Sequence, residues 1–368
     1  MSARRILLAG GGHAHVEVLR RFGASPANGV SIVLVSPDRC TPYSGMLPGL
    51  VAGHYTHDES HIDLEPLARY ARAEFVRDRI AALDPAGNVA RTESGRHVPF
   101  DFASLDIGSL PDMSMPGALA HAIGVKPVDH FVAGWRALRD RARDGKLARL
   151  AIVGGGAGGV EVTLAIHHRL RVDGGTMPAL ALVTDKPNLP TAAQRTLFRK
   201  LDDAGVVLHL GQRAASFDAE GVALENGDRV TADAIVCATP ATPHPWLAAS
   251  GLANDERGFV RVDDHLRSVS HAHVFAAGDC ATQDGRPHPR SGVYAVRQGP
   301  PLAYNLRAAA TGMPLHPYRP QPVALALIST GTRHAVAVWG PIAFEGDWVW
   351  RWKDRIDRRF MRRYRVDA

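Results

Sequence analysis

Two glycine-rich turns limit what this chain can fold into: Gly10-Gly11-Gly12-His13-Ala14-His15 and Gly154-Gly155-Gly156-Ala157-Gly158-Gly159. Each follows a short aliphatic run, Arg5-Ile6-Leu7-Leu8-Ala9 or Leu150-Ala151-Ile152-Val153, and each opens an apolar helical stretch. Strand, glycine turn and helix in that order are what a dinucleotide fingerprint requires. The glycines permit the tight turn and let the backbone approach a pyrophosphate at a helix N-terminus, where free N–H groups and the dipole favour anions. One such turn is weak evidence. Two in one chain point to two nucleotides, and two nucleotides point to electron transfer between them.

With 368 residues, 45% hydrophobic and 22% charged, the chain has room for two ordinary domains with their own cores. No apolar run is long enough to span a bilayer. The basic start Met-Ser-Ala-Arg-Arg breaks at three glycines too soon for a signal peptide, so a cytoplasmic protein is expected. Cys40, Cys237 and Cys280 are widely separated, which excludes a disulfide framework and a zinc ribbon. The net charge of +6 resides in the segment Trp350 to Arg365 and leaves the rest near neutral, so no nucleic-acid partner is expected.

Along the chain, residues 1–36 read as a β-α-β unit opening a parallel sheet. Thr41-Pro42-Tyr43-Ser44-Gly45-Met46-Leu47-Pro48 is too apolar for a solvated loop; it reads as a packed connector or as the lining for a flat ring. An amphipathic helix over 127–146 leads into the second glycine turn. A third signal, Val274-Phe275-Ala276-Ala277-Gly278-Asp279, is a buried strand ending in Gly-Asp that runs toward a helix beginning near Tyr294.

In this order the signals resemble the two-dinucleotide-binding-domain flavoproteins, the pyridine nucleotide-disulfide oxidoreductase superfamily. Without a CxxC after the first fold, the chain is more similar to type-II NADH dehydrogenase-like members. The segments GGGHAHV, TPYSGMLPG, GVYAVRQGPPLAYNL and GDWVWRWKDRIDRRFMRRYR look like the NADH dehydrogenase-like proteins found alone or fused to selenophosphate synthetase. The resemblance implies an α/β fold with two Rossmann-like domains, the second inserted into the first. It places FAD on 1–110 and 244–318, NAD(P)H on 111–243, and a small α+β interface region with an amphipathic helix at 319–368.

It further implies that FAD is held by Gly10, Gly12, His13, Ala14, Ser36, Pro37, Thr41, Pro42, Tyr43, Gly108, Gly278, Asp279 and Tyr294. NAD(P)H is assigned to Gly154, Gly156, Ala157, Gly158, Gly159, Thr184 and Asp185. Asp279 would accept from the ribityl hydroxyls; its structural alternative is a helix N-cap. Glu161, on the first turn of the second helix, would face the flavin and relay a proton, or else merely complement the dipole. Lys126 is the expected partner cation, and these two are the candidate catalytic residues.

Several positions depart from the family pattern. His15 stands where Gly or Ala is usual, and Ser36 where a glutamate grips the ribose. Thr184 stands at the second ribose position, with Asp185 beside it and no arginine adjacent, which favours NADH over NADPH. Val293 and Arg297 replace the quinone-contacting glutamines and leave Gln298.

The 18 histidines include His57 and His61 at helical spacing beside Asp58, Glu59 and Asp63. No motif fixes a third ligand, so solvated polar residues are expected and no metal is assigned. Trp348, Trp352, Ile356, Phe360 and Tyr364 form an i,i+4 stripe opposite Arg351, Arg355, Arg358, Arg359 and Arg362. That pattern suits either docking on the body or a second subunit, or an interfacial helix at the cytoplasmic face of a membrane. The expected activity is transfer of hydride from NADH to FAD and of electrons to a small-molecule acceptor, a quinone among the candidates. The alternative is an FAD-binding partner or sensor protein linked to selenium metabolism with little turnover of its own.

Overall fold

The computed structural model describes residues 3–366. Two parallel five-stranded sheets organise them. In the first, the spatial order of strands is Val274–Ala276, Phe102–Leu105, Arg4–Ala9, Val30–Ser36, Glu74–Arg77. Ile6 faces both Ile32 and Phe102 across the ladder. Ile6, Leu7, Leu8 and Ala9 are fully buried, because helices cover both faces of a parallel sheet and only continuous aliphatic runs suit such a strand. The helix His13–Ala24 lies against the helix Gly292–Thr311.

The second sheet runs Ala122–Gly124, Ala234–Cys237, Arg149–Val153, Ala179–Thr184, Val207–Leu210, again all parallel. Its strands all fall between Phe102–Leu105 and Val274–Ala276, two neighbours in the first sheet. The second Rossmann-like unit is therefore inserted into the first.

The chain closes with a three-stranded antiparallel sheet, Ala326–Ser329, Ala335–Trp339 and Ile342–Gly346, and the helix Asp347–Arg363. The expected single apolar stripe on that helix divides. Phe360 and Tyr364 are buried, whereas Trp348, Trp352 and Ile356 stay 50%, 38% and 40% exposed. Each i,i+4 step turns the stripe by about 40° at roughly 100° per residue, so it begins outside and ends inside. Val349, Trp350, Lys353, Asp357 and Met361 complete the inner face. Among the described residues, no helix is long and apolar enough to cross a membrane.

Candidate functional site: two abutting nucleotide cradles

The first cradle opens at the C-terminal edge of the first sheet. Gly10 has φ +93°, and a Cβ there would sit 2.5 Å from the Asp106 carbonyl oxygen. A Cβ at Gly12 would overlap the Asp106 carboxylate. Gly10 N–H donates to the Val35 carbonyl and Gly12 N–H to the Asp106 carbonyl, which pins the turn across three strands. His15, at the usually small third position, is fully buried. Its Nδ1 reaches the Gly10 carbonyl at 2.7 Å and its Nε2 the Ser104 hydroxyl at 2.8 Å. Burial lowers its pKa to about 4, so it is a neutral wedge that donates to Gly10 and accepts from Ser104.

Asp106, absent from the sequence-based expectations, is central here. Its carboxylate accepts from the N–H groups of Ala14 (2.7 Å) and His15 (3.1 Å) at the start of the helix. Burial nonetheless pushes its pKa up to about 7. The available signal was an acidic residue ending an apolar strand just before Gly108.

Gly10, Gly12, His13, Ser36, Pro37, Thr41, Pro42, Gly108 and Asp279 line the cavity. Four expected residues stand behind that wall. Ala14 serves through its backbone to Asp106, and Gly278 N–H donates to the buried Gln298 side chain at 2.6 Å. Tyr43 stacks on Phe360 at 4.3 Å between ring centroids. Tyr294 is turned away: its ring stacks on His288 and its hydroxyl donates to the Gln321 carbonyl. Gln298 is thus engaged in holding the Gly-Asp turn.

Lys126 is placed differently from the expectation that paired it with Glu161. Its ammonium donates to Asp279 at 2.6 Å and to the Ser109 hydroxyl at 3.1 Å. Burial works to raise the Asp279 pKa, but the Lys126 charge together with the hydrogen bonds from Lys126 and Ser109 outweighs it, leaving the carboxylate below its ordinary range. The cation facing Glu161 is Lys353, nearly two hundred positions further along the chain and so invisible to local reasoning. Glu161 accepts from Ser329 N–H at 2.8 Å, and burial raises its pKa to about 7. Lys353 in turn donates to Asp357 at 2.6 Å and to the Gly45 carbonyl at 2.5 Å.

The cavity fits FAD on the residues present. It has a side-chain-free turn at a helix start, a carboxylate at the strand end, and a buried His13 whose Nε2 has no partner in the protein. Burial holds that imidazole neutral, with a pKa near 4. His13 Nε2 is therefore free to bond a ligand in this cavity.

The second cradle repeats the design. Gly154 has φ +126° beneath the Ala238 carbonyl, and a Cβ at Gly159 would overlap the Gly154 carbonyl, so the helix Ala157–Asp173 packs directly on the turn. Gly154, Gly156, Thr184 and Asp185 line this cavity, while Ala157, Gly158 and Gly159 form the first turn of the helix behind it. The Thr184 side chain packs under Gly155 and its hydroxyl donates to the Lys186 carbonyl. Folding does supply an arginine: Arg213 pairs with Asp185 at 3.0 Å. Arg290 also lines this cavity, and its Nε donates to the backbone carbonyl of Asp279 at 3.2 Å. The two cradles abut through that contact.

Paired cradles under glycine turns, meeting at one junction, define a two-nucleotide flavoprotein oxidoreductase. The family model described as pyridine nucleotide-disulphide oxidoreductase matches residues 4–299, and the chain belongs to that family. It is 24% identical to the alternative NAD(P)H-ubiquinone oxidoreductase C1 of Arabidopsis thaliana over 359 residues, covering 86% of this chain and 69% of the relative. It is 23% identical to the NADH dehydrogenase-like protein YutJ of Bacillus subtilis, covering 86% and 87%. Among solved structures, the sulfide:quinone oxidoreductase of Aquifex aeolicus superposes with a TM-score of 0.82 at 17% identity, covering 99% of this chain and 92% of that one.

Proposed function

We propose that this chain oxidises NADH through FAD and delivers the electrons to a quinone met at a membrane surface. FAD, when bound, supplies the ring that accepts hydride and releases electrons. We assign FAD binding to residues 1–110 and 244–318, nicotinamide binding to 111–243, and surface contact to 319–368. The two glycine turns hold the pyrophosphates, Asp279 accepts from the ribityl chain with Lys126 and Ser109 fixing its orientation, and Asp185 accepts from the adenosine ribose. Glu161, half-ionised near neutral pH, holds or releases a proton beside Lys353.

One observation carries the choice of acceptor. The inner face of the C-terminal helix packs on the ring-lining segment through Phe360 on Tyr43 and Lys353 on Gly45. The outer face presents Trp348, Trp352 and Ile356, continued by Trp339 and Phe344 of the adjacent hairpin at 63% and 56% exposure. Exposed Arg351, Arg355, Arg359 and Arg362 flank them. Aromatic and basic side chains on one helix suit an anionic lipid interface on the cytoplasmic side. A homodimer through the same face is the competing arrangement.

Anaerobic addition of NADH should bleach the yellow protein, and a soluble quinone should restore its colour. A yellow protein that NADH leaves unchanged would refute this reading and favour the partner or sensor role linked to selenium metabolism. Removing Asp185 (Asp185→Ala) should free Arg213 for a 2′-phosphate and raise the NADPH-to-NADH ratio of kcat/KM by about tenfold or more. An unchanged ratio would refute the assignment of Asp185 to the ribose. Replacing Trp348, Trp352 and Ile356 with serine should cut binding to anionic vesicles roughly a hundredfold, at about 1 kcal/mol for each half-exposed side chain. Unaltered vesicle binding, or a monomer–dimer shift instead, would refute the membrane contact.

A further inference from the structure

At the rim of the FAD cavity, residues from distant parts of the chain converge. The ligating atoms of His57, His61 and Asp129 all lie within 4.8 Å of one another. The His61 side chain is only 1% exposed. Its Nδ1 sits 2.8 Å from the His57 carbonyl, to which it can only donate. That bond fixes the tautomer and leaves the Nε2 lone pair facing the Asp129 carboxylate oxygen at 3.1 Å. Either a second proton on the ring or a metal cation between the two atoms satisfies that contact. A backbone carbonyl behind the imidazole is the support that metal-ligating histidines ordinarily have. The His57 ring stacks face to face on His61 at 3.7 Å with its in-plane lone pairs parallel to those of His61, so it supplies a third ligand by turning out of that stack. Its side chain is 42% exposed and free to adjust.

We propose that His57, His61 and Asp129 bind one divalent cation of the zinc class, and that this ion clamps the rim of the FAD cavity. Two imidazoles and a carboxylate match zinc and its neighbours, with a fourth position open to water, and do not suit the all-oxygen preference of magnesium or calcium. The clamp follows from placement. His61 pairs with Pro42 across a two-stranded ladder, and Asp129 lies in the first turn of the helix Val128–Arg143. Both Pro42 and Asp129 line the cavity. An ion here joins two separate lining segments of the cavity, the ladder that carries Pro42 and the helix that carries Asp129. The inference is independent of the electron acceptor. The other triad, Asp263, Asp264 and His265, consists of consecutive residues on one turn and has no buried ligand behind it.

The test uses chelator-treated protein loaded with FAD and titrated with zinc alone by calorimetry. The expected result is one ion per chain, with affinity weakened at least about tenfold by His57→Ala and by Asp129→Asn, two rim residues outside the core. Asp264→Asn should leave the titration unchanged. Zinc should also slow FAD release severalfold in the wild type and not in Asp129→Asn. Absence of saturable binding, or binding that survives both rim variants, would overturn the site; equal FAD release with and without zinc would overturn the clamp.

Discussion

Gly12→Val is expected to yield a folded but colourless protein. The added side chain would occupy the space of the Asp106 carboxylate, which already receives two N–H bonds from the helix start. Overpacking of this kind costs about 1–3 kcal/mol, so FAD affinity should fall by about fivefold to a hundredfold. Gly10→Val should do the same by another route, since φ +93° is poorly accessible to a β-branched residue. Absorbance of the purified variants at the flavin band measures the outcome. Retained yellow colour in both would displace FAD from the N-terminal cradle altogether.

Asp106→Asn should remove a pH dependence. With a pKa raised to about 7, Asp106 is largely protonated below neutrality and charged above it. A charge there opposes the pyrophosphate at the same helix start, so the FAD dissociation constant should rise about tenfold per pH unit above neutrality. The asparagine variant should show a flat profile. The same shift governs stability without FAD. Folded protein binds the Asp106 proton more tightly than unfolded protein, so its contribution is greatest at low pH and is lost as pH rises through about 7. His13 and His15, lowered to about 4, act in the opposite sense and gain stability as pH rises to the ordinary imidazole range. The clean measurement is therefore wild type against Asp106→Asn. Their difference should move in favour of asparagine by up to about 4 kcal/mol between acid and slightly alkaline pH. A pH-independent difference would refute the protonated state.

Much of this architecture was readable from local pattern. The glycine turns, the strand Val274–Ala276 with its Gly-Asp ending, and the aliphatic runs each declare themselves within ten residues, because turn sterics and burial on both sheet faces act locally. The pairings were not readable. Lys126 meets Asp279 rather than Glu161, Lys353 faces Glu161, and Arg213 reaches Asp185, all across separations that only the closed sheets create. His57 and His61 read as solvated polar residues, and only the helix Val128–Arg143 brings Asp129 against His61. Asp106 was missed because an acid just after a short apolar strand and before a glycine is a weak local signal; its meaning comes from the helix start it caps. The C-terminal stripe misled for a geometric reason, since a straight line of i,i+4 positions winds around the helix axis.

Because Val274–Ala276 pairs with Phe102–Leu105, the edge of the first sheet waits until the segment around residue 276 has emerged from the ribosome, about 170 residues after its partner. Every strand of the other sheet is already available by Cys237. Loop closure across such a distance is slow, so the inserted unit has time to settle while the four earlier strands hold an unprotected flank. During synthesis the order of maturation therefore runs opposite to the order of the cradles in the chain, and the first cradle is sealed last.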